Sequence, residues 1–212
     1  MGFDPKQDAL QKEETNRRIL DAGFSIFSEM SIDKVSMAKV ADKAGIGVAT
    51  LYRYYRTKSE LVVAVGTHAW SKFIIGYMPL INEDKATAVE ELEFFLDSFL
   101  ELYKNHKKLL CFNQFFNIYI RNEAISKRAL NSYNEMVDQL AMRFHKTYVK
   151  GKNDKTLCTE VSENSMFLSI MHLMLAAITR YVVGLAYEKD IESDNELVLL
   201  KNMLMHEFSR KK

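Results

Sequence analysis

Two prolines, eight glycines and two cysteines in 212 residues exclude several kinds of protein at once. A turn-rich β architecture needs the φ-positive and φ-fixed residues that glycine and proline supply, so their scarcity favours helices. The cysteines, Cys111 and Cys158, stand far apart in no paired motif, which reads as free thiols in a reducing compartment. An excess of charge of one sign is also missing: 29 Lys and Arg stand against 28 Asp and Glu, a net charge of +1. The protein as a whole is therefore no polyanion binder, and any nucleic-acid site must come from local charge. The first residues, MGFDPKQDALQKEE, contain no apolar run of signal-peptide length and no myristoylation pattern, so a cytoplasmic location is expected. No Ser-His-Asp set, glycine-rich phosphate loop or metal-ligand spacing occurs. No catalytic residue, metal or cofactor is therefore expected, and the scattered acids read as solvated helix faces.

What the chain has is 48% hydrophobic residues in helical periods, enough to build a core. After a leader up to Gln11, expected to be mobile, an amphipathic helix is predicted from Lys12 to about Met30. Its apolar face is Ile19, Leu20, Phe24 and Phe27. A short helix follows Ser36, another spans about Val48–Tyr54, and a long one runs from Lys58 to about Tyr77, where Pro79 closes it. Beyond that, helices are predicted over 83–106, 107–120, 122–149, 157–188 and 195–208, with Lys150–Lys155 a polar loop. The expectation is an all-α chain of about nine helices.

The densest information lies between Ser36 and Lys58, SMAKVADKAGIGVATLYRYYRTK. Ser36 stands at an N-cap position. Met37, Val40, Ala41 and Ala44 share one side of a short helix, and Gly45 can take the left-handed conformation that ends it. Ile46 is apolar and expected to plug the core from the turn. Thr57 and Glu60 are spaced as a capping box that starts the long helix. Five bases (Lys39, Lys43, Arg53, Arg56, Lys58) face one acid, Asp42, in this stretch. These features read as a helix-turn-helix with a basic surface.

From Thr15 to Leu61 the chain resembles the DNA-binding domain of the TetR/AcrR, tetracycline-repressor-like, transcriptional regulators. The matching landmarks are Ile19-Leu20-Asp21-Ala22 and Phe27, Val35-Ser36-Met37, Val40-Ala41, Ala44-Gly45-Ile46, Thr50-Leu51-Tyr52-Arg53-Tyr54-Tyr55 and Thr57-Lys58-Ser59-Glu60-Leu61. It departs from that pattern at Ser31, where the family often has glycine, and at Gly47 and Val48, where a polar cap and a polar residue are common. The resemblance implies a three-helix helix-turn-helix domain over residues 1–61 and a larger helical effector-binding and dimerisation domain over 62–212. Base edges in a major groove take methyl contacts and arginine, whereas phosphates take cations, hydroxyls and helix N-termini. Gly47, Val48, Ala49, Thr50 and Arg53 are accordingly expected in the groove. Ser36, Tyr52 and Lys58 are expected on phosphates, with Lys39 a further candidate. Leu51 and Tyr55 are expected to pack.

Residues 166–187, MFLSIMHLMLAAITRYVVGLAY, are long and apolar enough for a membrane span. Ser169, His172, Thr179 and Arg180 interrupt them, and arginine at that depth costs a few kcal/mol. The resemblance implies a different burial partner: the last two long helices pair with those of a second copy, so no membrane is expected. The C-terminal residues are also unusually aromatic. Phe73, Tyr77, Phe95, Phe99 and Tyr103, then Phe112, Phe115, Phe116, Tyr119 and Tyr133, with Met136 and Met171, suit a largely apolar effector cavity. Asn113, Gln114, Asn117, His172 and Arg180 are its candidate polar anchors, His172 being expected in the core or the pocket. Each aromatic taken singly is better explained by ordinary core. The resulting expectation is a ligand-responsive repressor that binds a pseudo-palindromic operator as a homodimer. The alternative is an all-helical ligand-binding protein or enzyme with an incidental helix-turn-helix.

Overall fold

A computed structural model describes residues 5–78, 87–123, 125–184 and 193–210. Among these residues there are nine α-helices, a short 3-10 turn at Ile32–Lys34 and no strand beyond an isolated antiparallel bridge between Leu157 and Ser209. The helices are α1 Pro5–Phe27, α2 Met37–Lys43, α3 Val48–Tyr54, α4 Lys58–Tyr77, α5 Ala88–Asn105, α6 Lys107–Asn122, α7 Asn131–Asp154, α8 Glu163–Val183 and α9 Ser193–Phe208. By contacts they form two compact units. Unit 1 takes the residues up to Trp70 together with Phe112–Asn134; unit 2 takes Ser71–Cys111 and the residues from Glu135 onward. This division differs from a simple boundary after residue 61, because part of α6 and the start of α7 count with the N-terminal helices.

Unit 1 is built around Ile19, Phe27, Val40, Ala41, Leu51, Leu61 and Val62, each at most 1% exposed. The local punctuation is chemical. Ser36 accepts the Lys39 amide at 3.2 Å and so caps α2. At the other end the Ile46 amide donates to the Ala41 carbonyl at 3.0 Å and the Gly45 amide to the Asp42 carbonyl at 3.0 Å. This is a Schellman closure, which needs a left-handed residue, and Gly45 has φ +66°. Ile46, expected to plug the core, is half-buried. At α4 the Thr57 hydroxyl accepts the Glu60 amide at 3.1 Å, while Glu60 reaches back to the Arg56 amide at 2.8 Å. The capping box is thus displaced by one residue from its usual reciprocal form. Gly23 lets α1 and α4 approach closely, since a Cβ there would lie 2.8 Å from a Val65 methyl.

In unit 2, α5, α8 and α9 pack on one another. Leu92, Leu96, Leu102, Met166, Ile170, Met174 and Ile178 are fully buried, and Phe99 and Leu197 nearly so. Lys201 enters this core on α9, its ammonium 3.0 Å from Glu93 and 2.5 Å from Asp97 on α5. Burial pulls its pKa down, but the hydrogen bonds to Asp97 and Glu93 more than reverse that. One face of α8 lies in this core, while Leu168, Leu173 and Val183 on the other are exposed.

Four sequence expectations are corrected, the first being the helix expected from Leu157, which starts at Glu163. Residues 5–11, expected as a leader, are the first turns of α1. The helix expected from Asn122 starts at Asn131, after a turn in which the Ala129 amide donates to the Ser126 carbonyl. The polar stretch Lys150–Asp154, expected as a loop, is the last turn of α7. Tertiary contacts supply the reason: Asp154 accepts the Ala88 amide at 2.7 Å, Thr156 accepts the Val89 amide at 3.1 Å, and Gly151 lies against Leu157. Together they close the N-terminus of α5 with groups from the end of α7. Pro79 lies outside the described residues.

A Cβ at Gly151 would stand 2.6–2.8 Å from Leu157 Cδ1, Cγ and Cβ. The Cβ cannot swing aside, and Leu157 is 1% exposed. Gly151→Ala should therefore destabilise the protein by about 1–2 kcal/mol in urea melts, the overpacking outweighing alanine's higher helix propensity. A variant as stable as the parent would show that the end of α7 gives way freely.

Candidate nucleic-acid interface

The helix-turn-helix sorts its residues by exposure. Within α3, Leu51 is fully buried, whereas Val48 is 39% and Tyr52 47% exposed. Gly47, Ala49 and Arg53 are exposed as well, and Thr50 is half-buried. A seven-residue helix makes barely two turns, so one buried residue fixes its roll and turns the others outward. Gly47 occupies the N-cap with extended backbone and no side chain to cap, and its carbonyl accepts the Thr50 and Leu51 amides at 2.9 and 3.1 Å. On the outer face an Arg53 Nη2–H makes a long 3.4 Å contact with the Thr50 hydroxyl, setting the guanidinium over the preceding turn. Ser36 and Lys39, at the start of α2, are exposed too.

The end of α3 is tied down by groups that local sequence did not reveal. The Tyr55 hydroxyl donates to Asn16 Oδ1 at 2.7 Å, and the Tyr54 hydroxyl to the Lys12 carbonyl at 3.3 Å, both on α1. Burial pushes the Tyr55 phenol pKa up, partly offset by the Asn16 bond. Tyr55 is thus the packing residue it was expected to be. Asn16 carries no local signal, because its partner is 39 residues away in the chain.

Lys58 differs most from its sequence reading. Its ammonium donates to the Asp33 carbonyl at 3.1 Å and lies 5.6 Å from the centre of the Tyr119 ring. Burial lowers its pKa, against the opposing pull of Asp33 and Glu123. Of the expected phosphate contacts it alone is engaged inside the unit by hydrogen bond and ring.

The aromatic candidates separate into groups. In unit 1, Phe112 lies 5.5 Å from Phe116 and 5.7 Å from Phe24, and Phe116 4.9 Å from Tyr133. Burial raises the Tyr133 phenol to about 12. Tyr119 is 3% exposed, its hydroxyl 3.1 Å from Ser59 Oγ, and Phe115 is half-buried. In unit 2, Phe95 meets Phe99, Phe144 and Phe167 at 5.5–6.5 Å, while Phe73 and Tyr77 stack on each other and both meet His106 edge-on. Tyr103 faces Tyr181, Met136 is buried and Met171 half-buried. His172, expected in the core or the pocket, is exposed on α8, as is Arg180. The surface groove lined by Leu157, Cys158, Thr159, Glu160, His206 and Arg210 contains none of the expected pocket residues.

Residues 19–65 match the family model of bacterial regulatory proteins, tetR family. HTH-type transcriptional regulator SAR2658 of Staphylococcus aureus is 32% identical over 98 residues, 46% of this chain and 52% of that protein. The match therefore spans about half the length of that relative. HTH-type transcriptional regulator SAS2464, also of Staphylococcus aureus, is 26% identical over 188 residues, 86% of this chain and 97% of that protein. Among solved structures, the transcriptional regulator FadR from Bacillus subtilis in complex with stearoyl-CoA has the same fold. Its TM-score is 0.67 at 19% identity, covering 90% of this chain and 95% of that one.

The Arg53 assignment can be tested on its own. Arg53→Ala should cost about 1–3 kcal/mol of specific DNA binding and relax the preference at one base pair. A selection from randomised duplexes that returns the same consensus for parent and variant would remove Arg53 from the groove.

Proposed function

We propose that the chain, whose residues 19–65 match the tetR family of bacterial regulatory proteins, is a homodimeric DNA-binding repressor released from a pseudo-palindromic operator by a small, largely apolar effector. The observation that carries the DNA reading is the division within α3: Leu51 buried, with Gly47, Val48, Ala49, Tyr52 and Arg53 turned outward in a stretch with five bases and one acid. Two such helices, one from each copy, enter successive major grooves roughly 34–36 Å apart. Gly47, Val48, Ala49, Thr50 and Arg53 read base edges. Ser36, Tyr52 and Lys39 meet phosphates. The protein works where the DNA is, in the cytoplasm.

Pairing uses the open faces of α8 and α9. Exposed Leu168, Leu173 and Val183 on the first, and Val198, Leu199 and Met203 on the second, lie on the sides away from the buried faces. The effector site draws on the aromatic and methionine-rich helices of the C-terminal residues, of which the Phe95, Phe99, Phe144 and Phe167 group is the most apolar. The Bacillus subtilis FadR holds stearoyl-CoA, and a long acyl chain is the ligand chemistry that such a lining suits. An effector lowers operator affinity only by binding the two states of the dimer unequally.

Gel shifts on the DNA flanking its own gene, across salt concentrations and with added acyl-CoA, test the reading. Retarded, salt-dependent complexes that acyl-CoA dissolves are expected. An acyl-CoA that binds the native protein must also raise its melting temperature. A protein that binds DNA but shows neither effect has a different effector or none, and one that binds no DNA overturns the whole proposal.

A further inference from the structure

We propose that the Asp33 carbonyl and the Tyr119 ring hold the Lys58 ammonium inside unit 1 and away from the DNA backbone, so that loosening this grip adds a phosphate contact to each subunit. The inference rests on the DNA-binding reading above and concerns how strongly the interface is charged at any moment.

Lys58 is the first residue of α4, four positions after α3 ends. The nearby bases Lys39, Lys43, Arg53 and Arg56 are exposed, whereas Lys58 is half-buried. Its ammonium has three donors. One bonds the Asp33 carbonyl at 3.1 Å, and the cation lies 5.6 Å from the Tyr119 ring centre. That ring is itself fixed: Tyr119 is 3% exposed and its hydroxyl lies 3.1 Å from Ser59 Oγ, next to Lys58 in the chain. Two carboxylates, Asp33 and Glu123, attract the same ammonium electrostatically. A DNA phosphate must therefore compete with a carbonyl, an aromatic face and two acids before it gains this lysine.

Two of these groups, Tyr119 and Glu123, come from residues 112–134 and not from the helix-turn-helix itself. Neighbours on the same segment are closely fitted to unit 1. A Cβ at Gly66 would lie 2.9 Å from the Phe116 ring, and Phe112 packs 5.7 Å from Phe24. A segment held so tightly has few alternative positions, and one that shifts would release the ring and the acid together. Lys58 is then a charge in reserve, and Tyr119 is a positioning residue that acts through it.

Non-specific binding to a mixed-sequence duplex is the appropriate probe, because it counts phosphate contacts directly. The slope of log K against log salt changes by about 0.9 for each ammonium engaged. In the parent, Lys58→Gln should leave the slope unchanged. Tyr119→Leu should steepen it by about 0.9 per subunit, and adding Lys58→Gln to that variant should remove the gain. Glu123→Gln, an exposed change that spares the packed ring, should shift the slope in the same direction by less. In the free protein, amine labelling read by mass spectrometry should modify Lys58 slowly in the parent and as fast as Lys39 in Tyr119→Leu. An equal loss of slope from Lys58→Gln in both backgrounds would overturn the latch, since Lys58 would already be on phosphate. So would rapid labelling of Lys58 in the parent. A parent that fails to bind the duplex at any salt would bring down the DNA reading itself.

Discussion

Leu199→Glu should give a folded protein that sediments as a monomer and has lost tight operator binding. Leu199 is 60% exposed on α9, between Val198 at 41% and Met203 at 61%. On α8, Leu168, Leu173 and Val183 are 39–49% exposed. The opposite faces are already occupied: Ile170, Met174 and Ile178 on α8, and Leu197, Leu204 and Phe208 on α9, lie in the core of unit 2. A second copy of this chain is the occupant proposed for the open faces, and an isologous pairing places the same patch on both sides of a two-fold axis. Glutamate at position 199 would therefore enter twice. Like charges juxtaposed across an interface cost on the order of several kcal/mol. Because Leu199 is exposed in the single chain, the substitution should change monomer stability by no more than about 0.5 kcal/mol. Sedimentation equilibrium, urea melts and gel shifts on one set of samples separate these effects. The expected pattern is a shift to monomer, an unchanged melt of the monomer and an operator affinity at least about tenfold weaker, a loss of about 1.4 kcal/mol. A variant that remains dimeric places the pairing face elsewhere. A variant that is monomeric yet binds as tightly breaks the link between dimer and operator.

That prediction draws on a pattern legible in the sequence only in part. The apolar run 166–187 announced a helix needing burial, but not which face would be covered. Periodicity gives the stripe and says nothing of its neighbour. Thus His172, placed among buried groups from its apolar surroundings, proves to lie on the open face. The helix-turn-helix was far more legible, because its limits depend on local chemistry. Ser36 caps α2, Gly45 closes it, and Thr57 starts α4, each acting within a few residues of where it stands. The end of α7 was hidden for the opposite reason. Lys150–Asp154 is polar with a glycine, and its helical role depends on distant partners: Glu91, which holds the Lys150 ammonium, and the Ala88 amide, which donates to Asp154. Lys58 shows the same limit at the candidate interface. Its charge and position imply a phosphate, while Tyr119, 61 positions later, holds it elsewhere. The aromatic candidates were recognised as inward-facing, but residue type could not assign Phe112, Phe116, Tyr119 and Tyr133 to the unit that contains the helix-turn-helix.

Leu51→Ala should remove DNA binding without touching a DNA-facing side chain. Leu51 has no exposed surface, and α3 has only seven residues. Such a helix is too short to persist on its own propensity, and most of its stability comes from packing. Leu51 is its one buried residue; the half-buried Tyr54 and Tyr55 add their bonds to α1 at the far end. Truncating a fully buried leucine costs about 2–5 kcal/mol, the larger values where the surroundings cannot close the cavity. Much of that cost falls on docking α3 against α1 and α2, which is what aims Thr50 and Arg53. Urea unfolding should show the loss directly. Amide exchange should show it first at Leu51 and Tyr55, whose amides bond the Gly47 and Leu51 carbonyls at 3.1 and 2.9 Å. Arg53→Ala should behave in the opposite way, keeping stability and losing preference at one base pair. Should Leu51→Ala keep its affinity while losing stability, the packing of Leu51 would not be what aims α3. Buried Leu51 would then be a minor support, and the tyrosine bonds to Lys12 and Asn16 would have to carry the alignment instead.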